Sequence, residues 1–204
     1  MNRIYQNAWW GIASNYKGMP IDCPQRNERQ PWLGDRATGS TGESFLFDNA
    51  QLYAKWLDDI EQSQTTDGAI PDVAPAFWNY YSDNVTWPGT YILVANMLYK
   101  QFGDLQSIRK HYPSMKKWME YMRSKYLKGN ILTKDKYGDW CVPPESLELI
   151  KSKDSLRTTN GTLIATAYYY QLLQYMKSFA ILLHDSKDAT QYTELAENIK
   201  TAFN

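Results

Sequence analysis

Apolar residues recur at steps of three and four along most of the chain, which is the spacing of helices that bury one face. The segment 42–64, for example, places Phe45, Tyr53 and Trp56 on one side. Asp104 is expected to cap the helix that follows it, because an aspartate side chain accepts a hydrogen bond from the first turn. Strand patterns are weak. The sequence predicts helices over 3–16, 42–64, 88–102, 104–126, 160–184 and 187–203.

Three long segments without a helical pattern lie between these helices, over 17–35, 65–87 and 127–158. Segments longer than about 12–15 residues that lack regular structure are usually functional. Each of the three carries at least one tryptophan and at least one aspartate. Helical hairpins with polar and aromatic loops at one end indicate a helical toroid with a pocket at that end. We therefore expect an all-α fold in which helical hairpins form roughly half of an (α/α)6 toroid.

Composition and charge narrow the class of protein. The chain has 204 residues, of which 43% are hydrophobic, and its formal net charge is zero. Nucleic acids and membrane surfaces select proteins with a basic excess, so we expect neither as a partner. The first residues do not have the pattern of a signal peptide. The compartment stays open, because a longer precursor could be periplasmic or secreted.

Cysteine and histidine residues do not form a metal-binding pattern in the sequence. Cys23 and Cys141 lie far apart and are expected to be free thiols, although they could pair if the protein works outside the cytoplasm. His111 is expected at the surface. His184 is expected at the C-terminal end of a helix, where a positive charge is favoured. We expect neither a metal nor an organic cofactor.

The segment 21–35, IDCPQRNERQPWLGD, concentrates three carboxylates and two guanidinium groups between prolines that restrict the backbone. Glycoside hydrolysis uses such pre-organised carboxylates, one to protonate the leaving oxygen and one to activate water or attack the sugar. Trp32 would offer a sugar an apolar wall. The same residues could instead form a surface turn, with an Arg26–Glu28 ion pair and Asp35 as a helix cap, and the pattern alone leaves both interpretations open.

This segment resembles the signature of the α-L-rhamnosidases of glycoside hydrolase family 78, in which Asp-Cys-Pro-x-Arg-Asp-Glu-Arg precedes Trp-x-Gly-Asp. The similarity continues in DGAIPDVAP, TWPGTYILVANMLYKQFGD and YGDW, and it covers essentially the whole chain. Members of this family hydrolyse rhamnosylated glycans or glycosides, and the resemblance implies a bacterial protein. The resemblance implies that residues 1–204 are the N-terminal part of a six-hairpin catalytic domain, whose C-terminal half this chain lacks.

The resemblance also implies roles for seven residues. Glu28 falls on the family's general acid. Family members invert the anomeric configuration, which requires a second carboxylate about 6.5–9.5 Å from the acid. In the family this base is a glutamate on a late hairpin beyond residue 204, so the chain alone is expected to be inactive. The residues that match sugar-binding positions are Asp22, Arg26, Trp32, Asp35, Trp87 and Trp140.

Three departures from the family pattern indicate either a divergent subgroup or a different deoxy or uronic sugar in the pocket, and one of them is QPW at 30–32 in place of the commoner LGW. Asn27 stands where an aspartate is common, and Gly89 stands where an aspartate usually follows the tryptophan at position 87. The alternatives are a related (α/α)6 enzyme acting on another plant or bacterial glycan, a non-catalytic carbohydrate-binding fragment, and a helical interaction module whose tryptophans are all core. Four other carboxylates could reach the pocket and act as the base, but each is more simply interpreted as a helix cap or a loop partner. They are Glu43, Asp83, Asp139 and Glu145.

Overall fold

The computed structural model describes residues 1–137 and 159–204, and helices dominate this part of the chain. None of the described helices is long and apolar enough to cross a membrane. The prediction of an all-α fold is confirmed. The described helices are α1 (Asn2–Ala13), α2 (Gly34–Glu43), α3 (Ala50–Gln62), α4 (Thr90–Phe102), α5 (Leu105–Tyr126), α6 (Gly161–Leu182) and α7 (Ser186–Phe203), and a two-stranded antiparallel hairpin consists of β1 (Leu127–Lys128) and β2 (Ile131–Leu132).

Helix α4 lies at the centre of the packing and contacts α2, α3, α5 and α6. It is apolar on most faces, and seven of its thirteen residues are buried. Helices α6 and α7 form a second closely packed pair. The core between these layers is rich in large side chains that are almost fully removed from water, among them Trp56, Tyr91, Trp118, Tyr169 and Phe179.

The ends of the predicted helices follow from local signals. The Asp104 side chain accepts a hydrogen bond from the backbone N–H of Ser107 at 3.0 Å, as expected for a cap. Gly103 ends α4 with φ of 71°, a left-handed conformation that glycine adopts without strain. The predictions over 88–102, 104–126, 160–184 and 187–203 are therefore confirmed to within a few residues.

The predicted helix over 42–64 is wrong in its first part. Helix α2 ends at Glu43, and α3 begins only at Ala50. Phe45, placed on the buried side by the prediction, is 74% exposed. Helix α2 was itself missed, because its sequence GDRATGSTGE carries no apolar stripe. Its start at Gly34 also means that the first predicted loop ends two residues early.

The expectation that His111 lies at the surface is wrong. Its side chain is buried on α5, with Nδ1 3.0 Å from a Glu61 carboxylate oxygen and Nε2 3.1 Å from an Asp58 oxygen. Nδ1 also lies 3.0 Å from the Tyr91 hydroxyl. These hydrogen-bond partners compensate for the loss of water around the ring. His184 lies two residues beyond the last residue of α6, in agreement with the expected position at the C-terminal end of a helix, and it is exposed.

A buried carboxylate joins the segment before α2 to the helices. Glu43 accepts hydrogen bonds from the hydroxyls of Tyr16 at 2.6 Å and Tyr53 at 2.5 Å, and from the Arg36 guanidinium at 2.9 Å. A second Arg36 nitrogen donates to the carbonyl of Ile21 at 2.5 Å. Arg36 and Glu43 are both largely buried, with side chains 11% and 5% exposed. This network fixes the position of the chain around Ile21.

We expect the substitution Glu43→Gln to destabilise the fold by about 3 kcal/mol, because removing one partner leaves the buried Arg36 charge uncompensated. Urea denaturation of the variant and the wild type would measure the difference. Glu120→Gln is the matched control, since Glu120 pairs with Arg123 on an exposed surface and its loss should cost less than about 1 kcal/mol. Equal effects of the two substitutions would contradict the anchoring role of Glu43.

Candidate active site

A cleft of ≈ 480 Å³ lies beside the segment that precedes α2. Six of the seven residues singled out from the sequence line it, and the seventh, Trp140, lies outside the described residues. The cleft thus combines carboxylates, cations and large rings in one concave surface. The lining residues are Asp22, Arg26, Glu28, Trp32, Asp35, Trp87, Lys136 and Tyr137.

The backbone of residues 22–30 closes on itself and brings two carboxylates to the same surface. The backbone N–H of Asp22 donates to the Gln30 carbonyl at 2.9 Å, and the N–H of Gln30 donates to Asp22 Oδ1 at 2.8 Å. Arg29 has a φ of 45°, and its side chain donates to the Pro24 carbonyl at 3.0 Å. This tight turn directs both Asp22 and Glu28 into the cleft.

Long-range backbone bonds join the end of this segment to the second loop. The N–H of Leu33 donates to the Asp72 carbonyl at 2.9 Å, and the Leu33 carbonyl accepts from the Thr90 hydroxyl at 2.8 Å. The N–H of Ala74 donates to the Pro31 carbonyl at 3.2 Å. Because these bonds are buried between the loops and α4, the floor of the cleft is held by the helical core.

Glu28 has a hydrogen-bond donor near each carboxylate oxygen. The Trp32 indole N–H donates to Oε1 at 2.7 Å, and an Arg26 nitrogen lies 3.2 Å from Oε2. The same Arg26 nitrogen lies 3.2 Å from Asp22 Oδ2 and so bridges the two carboxylates. The Asp22 side chain is 5% exposed, whereas that of Glu28 is 31% exposed. Glu28 is therefore the more accessible carboxylate of this pair, although both line the cleft.

Asp35 projects into the cleft from the first turn of α2. Its side chain reaches solvent, but the concave surroundings remove part of its hydration, and this raises the pKa of Asp35 above its ordinary value. The neighbouring Arg36 opposes the shift, while the negative charges of Asp22 and Glu28 add to it. A carboxyl group in this setting can accept or donate a hydrogen bond to a ligand hydroxyl.

Trp87 forms a wall of the cleft and depends on a glycine. Its ring centroid lies 4.6 Å from that of Tyr137, with the two planes tilted by 49°. A Cβ atom added to Gly34 would lie only 2.2 Å from the Trp87 ring carbon Cε2. Glycine at the start of α2 is therefore a steric requirement for this position of the indole.

Lys136 and Tyr137 were not identified from the sequence as site residues. They reach the cleft because Asp135 accepts bonds from the Thr86 N–H at 3.0 Å and the Thr86 hydroxyl at 2.7 Å. The only local signal was that Tyr137 begins the YGDW motif. Contacts between residues 49 positions apart cannot be inferred from such a signal.

A buried aspartate supports Tyr137 from behind. The Tyr137 hydroxyl donates to Asp72 Oδ2 at 3.1 Å, and the Ser82 hydroxyl donates to Asp72 Oδ1 at 2.9 Å. Asp72 is completely buried. Loss of hydration raises the pKa of Asp72 to about 6, although the two hydroxyl donors oppose the shift.

Two groups of side chains within the described residues have metal-ligand atoms close together: Asp22–Cys23–Glu28 and Asp58–Glu61–His111. In the first group the Arg26 guanidinium contacts both carboxylates, and it donates to the Cys23 sulfur at 3.3 Å. Cys23 is a buried free thiol. In the second group the ammonium of Lys110 lies 2.5 Å from Asp58. Cations of the protein already neutralise a carboxylate in each group.

The other carboxylates considered from the sequence as a catalytic base do not line the cleft where they are described. Glu43 is committed to its buried network. Asp83 accepts hydrogen bonds from the hydroxyls of Tyr121, at 2.9 Å, and Tyr126. Asp139 and Glu145 lie outside the described residues. The interpretation of Glu43 and Asp83 as structural partners fits these contacts.

Comparison with known proteins gives the family. The model of the bacterial alpha-L-rhamnosidase 6 hairpin glycosidase domain matches residues 1–204. The chain belongs to this family. The resemblance inferred from the segment 21–35 is therefore confirmed, and the helical hairpins are those of a six-hairpin glycosidase domain.

Solved and curated members show how far the similarity extends. The α-L-rhamnosidase of Dictyoglumus thermophilum matches with a TM-score of 0.88 and 36% identity, covering 100% of this chain and 22% of that protein. The Streptomyces avermitilis α-L-rhamnosidase complexed with L-rhamnose matches with a TM-score of 0.87 and 31% identity, covering 99% and 18%. A curated α-L-rhamnosidase of Streptomyces avermitilis is 32% identical over 203 residues, which are 100% of this chain and 18% of that protein. The chain thus spans about a fifth of the length of these rhamnosidases.

In this rhamnosidase-family domain, we expect Gly34→Ala to destabilise the fold by about 1–3 kcal/mol, because the new methyl group displaces the Trp87 ring. Thermal unfolding and tryptophan fluorescence would report the loss and the movement of the indole. Gly42→Ala is the matched control in the same helix. Gly42 has open space around it, so its replacement should be neutral or stabilise by up to about 1 kcal/mol. A neutral Gly34→Ala variant would refute the steric requirement.

The raised pKa of Asp72 gives the rhamnosidase-family domain a specific pH dependence. Between about pH 4 and 6 the folded chain binds a proton at Asp72 more tightly than the unfolded chain does. The stabilisation present below the unfolded pKa is therefore lost as the pH rises through 6. Relative to Asp72→Asn, the wild type should lose up to about 3 kcal/mol between pH 4 and 7, measured by urea titrations at each pH. Parallel pH profiles of the two proteins would show that Asp72 does not titrate in this window.

Proposed function

We propose that the protein containing this chain is an α-L-rhamnosidase, a glycoside hydrolase that releases terminal α-L-rhamnose, with Glu28 as its general acid. The observation that carries the proposal is the convergence of six family-matched residues on one cleft, with Glu28 between the Trp32 indole and the Arg26 guanidinium. Two relatives that are 30–32% identical over the whole chain carry the name α-L-rhamnosidase, which supports the proposal.

Glu28 can deliver a proton through one specific oxygen. The Trp32 N–H holds Oε1, so Oε2 is the atom free to turn from Arg26 toward a glycosidic oxygen. The proton on Oε2 passes to that oxygen as the bond from the oxygen to the anomeric carbon breaks. Arg26 keeps Asp22 as its partner during this movement, because its nitrogen already lies 3.2 Å from Asp22 Oδ2.

The remaining residues of the cleft bind different parts of the sugar. Asp22, Arg26 and Asp35 present acceptors and donors for the rhamnose hydroxyls. Trp32 and Trp87 form apolar walls for the ring and methyl face of the deoxysugar, and Trp140 is proposed as a third wall. Because Asn27 and Gly89 depart from the family pattern, activity assays have to establish which sugar the cleft binds.

We infer that the reaction inverts the anomeric configuration and that its base comes from outside this chain. Inversion needs a second carboxylate about 6.5–9.5 Å from the acid. Among the described residues, the cleft carboxylates are Asp22, Glu28 and Asp35, and each already has a role in this scheme. Residues 1–204 would then be the N-terminal part of the catalytic domain, inactive without the hairpins that complete it.

The decisive test compares the whole protein with its Glu28→Gln variant on aryl α-L-rhamnosides. We expect kcat on 4-nitrophenyl α-L-rhamnoside to fall by about 10²–10⁴-fold, because the leaving oxygen loses its proton donor. The loss should shrink with 2,4-dinitrophenol as the leaving group, since that phenolate departs without protonation. Proton NMR of the first product should show β-L-rhamnose.

Glu120→Gln serves as the control, because Glu120 lies on the exposed face of α5 and should not affect turnover. Full activity of the Glu28→Gln variant would remove Glu28 as the acid. Initial formation of α-L-rhamnose would refute inversion. Activity of residues 1–204 alone would show that the base lies within this chain. A whole protein that is silent on rhamnosides but active on another glycoside would reassign the sugar.

A further inference from the structure

Three large aromatic side chains stand exposed in a short segment whose Trp78 and Tyr80 rings pack against Trp32, a residue of the cleft. They belong to the segment 76–81, AFWNYY, and we call Phe77, Trp78 and Tyr80 the aromatic lip. Their exposed fractions are 64%, 44% and 42%. Exposed aromatic side chains that gather beside a cleft are typical of a ligand-binding groove. The lip is not needed to fill the hydrophobic core, whose buried members do not include these three residues.

The lip is connected to the proposed acid through one indole ring. The centroid of Trp32 lies 5.9 Å from that of Trp78 and 6.0 Å from that of Tyr80, with interplanar angles of 84° and 85°. The same Trp32 ring donates its N–H to Glu28 at 2.7 Å. Trp32 therefore separates the charged cleft from the aromatic lip, and Glu28 lies at the boundary.

The backbone of the lip is held to the core, although its side chains are not. The N–H of Asp72 donates to the Tyr80 carbonyl at 2.9 Å, and the N–H of Phe77 donates to the Pro75 carbonyl at 2.8 Å. The carbonyl of Ala74, just before this turn, accepts from the buried Trp56 indole at 2.6 Å. Exposed rings on a fixed backbone form a pre-organised binding surface, which lowers the entropy cost of binding.

We propose that the aromatic lip binds the aglycone, the group that leaves with the glycosidic oxygen. The inference rests on the proposed function, because it takes Glu28 as the acid. A general acid lies beside the scissile oxygen, so the rhamnose occupies the charged cleft and the leaving group extends past Trp32. None of the three lip side chains carries a charge. The aglycone that fits is a ring with an apolar face, either a planar aromatic or a pyranose.

The test measures kcat/KM of the whole protein and its Trp78→Ala variant on three α-L-rhamnosides: 4-nitrophenyl, methyl, and a rhamnosyl-glucose disaccharide. We expect Trp78→Ala to lower kcat/KM roughly tenfold on at least one ring aglycone, because a ring stacking contact is lost. The methyl glycoside and the inhibition constant of free L-rhamnose should change less than about twofold, since neither ligand reaches the lip. A loss confined to the aryl substrate identifies an aromatic aglycone, and one confined to the disaccharide identifies a sugar.

Trp10→Ala is the matched control, because Trp10 is 68% exposed on α1 and its ring contacts Trp9. Trp78→Leu provides a second variant if Trp78→Ala unfolds, because it removes the ring next to Trp32 and keeps apolar bulk. Equal losses on the methyl and ring aglycones, or no loss on either, would overturn the lip as an aglycone site. This result leaves the proposed function intact, because wild-type activity and its dependence on Glu28 are measured in parallel. A wild type silent on every rhamnoside overturns the proposed function and the aglycone site together.

Discussion

The buried Glu43 carboxylate is the constraint on which the geometry of the site depends. It gathers donors from Tyr16, Tyr53 and Arg36, and Arg36 in turn holds the carbonyl of Ile21. Ile21 immediately precedes the charged turn of the cleft. Fixing the backbone of a flexible segment costs about 1–2 kcal/mol of conformational entropy per residue. The buried network offsets part of this cost before any ligand arrives.

Two different surfaces meet at Trp32. On one side lie the carboxylates and guanidinium of the turn around Glu28, and on the other lie the rings of Trp78 and Tyr80. The indole serves both, because its N–H is polar and its faces are apolar. Electrostatic interactions in such a cleft are stronger than in bulk water, since the adjacent rings exclude part of the solvent. The division suits a substrate with a polar sugar on one side of the scissile bond and an apolar face on the other.

Helices with strong local signals could be predicted from the sequence, and those without them could not. Asp104 and Gly103 mark a boundary by hydrogen bonding and backbone conformation that act within one turn. Helix α2 has no comparable pattern, and apart from their mutual ion pair its residues Arg36 and Glu43 are held by partners on other segments. His111 was misplaced for the same reason, because the carboxylates that make its burial tolerable come from α3.

The sequence by itself determined the helical architecture, the family and the identity of six cleft residues, because periodicity and the motifs at 21–35 and 86–89 are properties of neighbouring positions. Only the tertiary structure decided that Lys136 and Tyr137 join this cleft, that Gly34 admits Trp87, and that Trp32 connects Glu28 to the aromatic lip. Residues from segments up to about a hundred positions apart, such as Trp32 and Tyr137, line the same cleft. Their energies depend on distance in space, which a pattern along the chain does not encode.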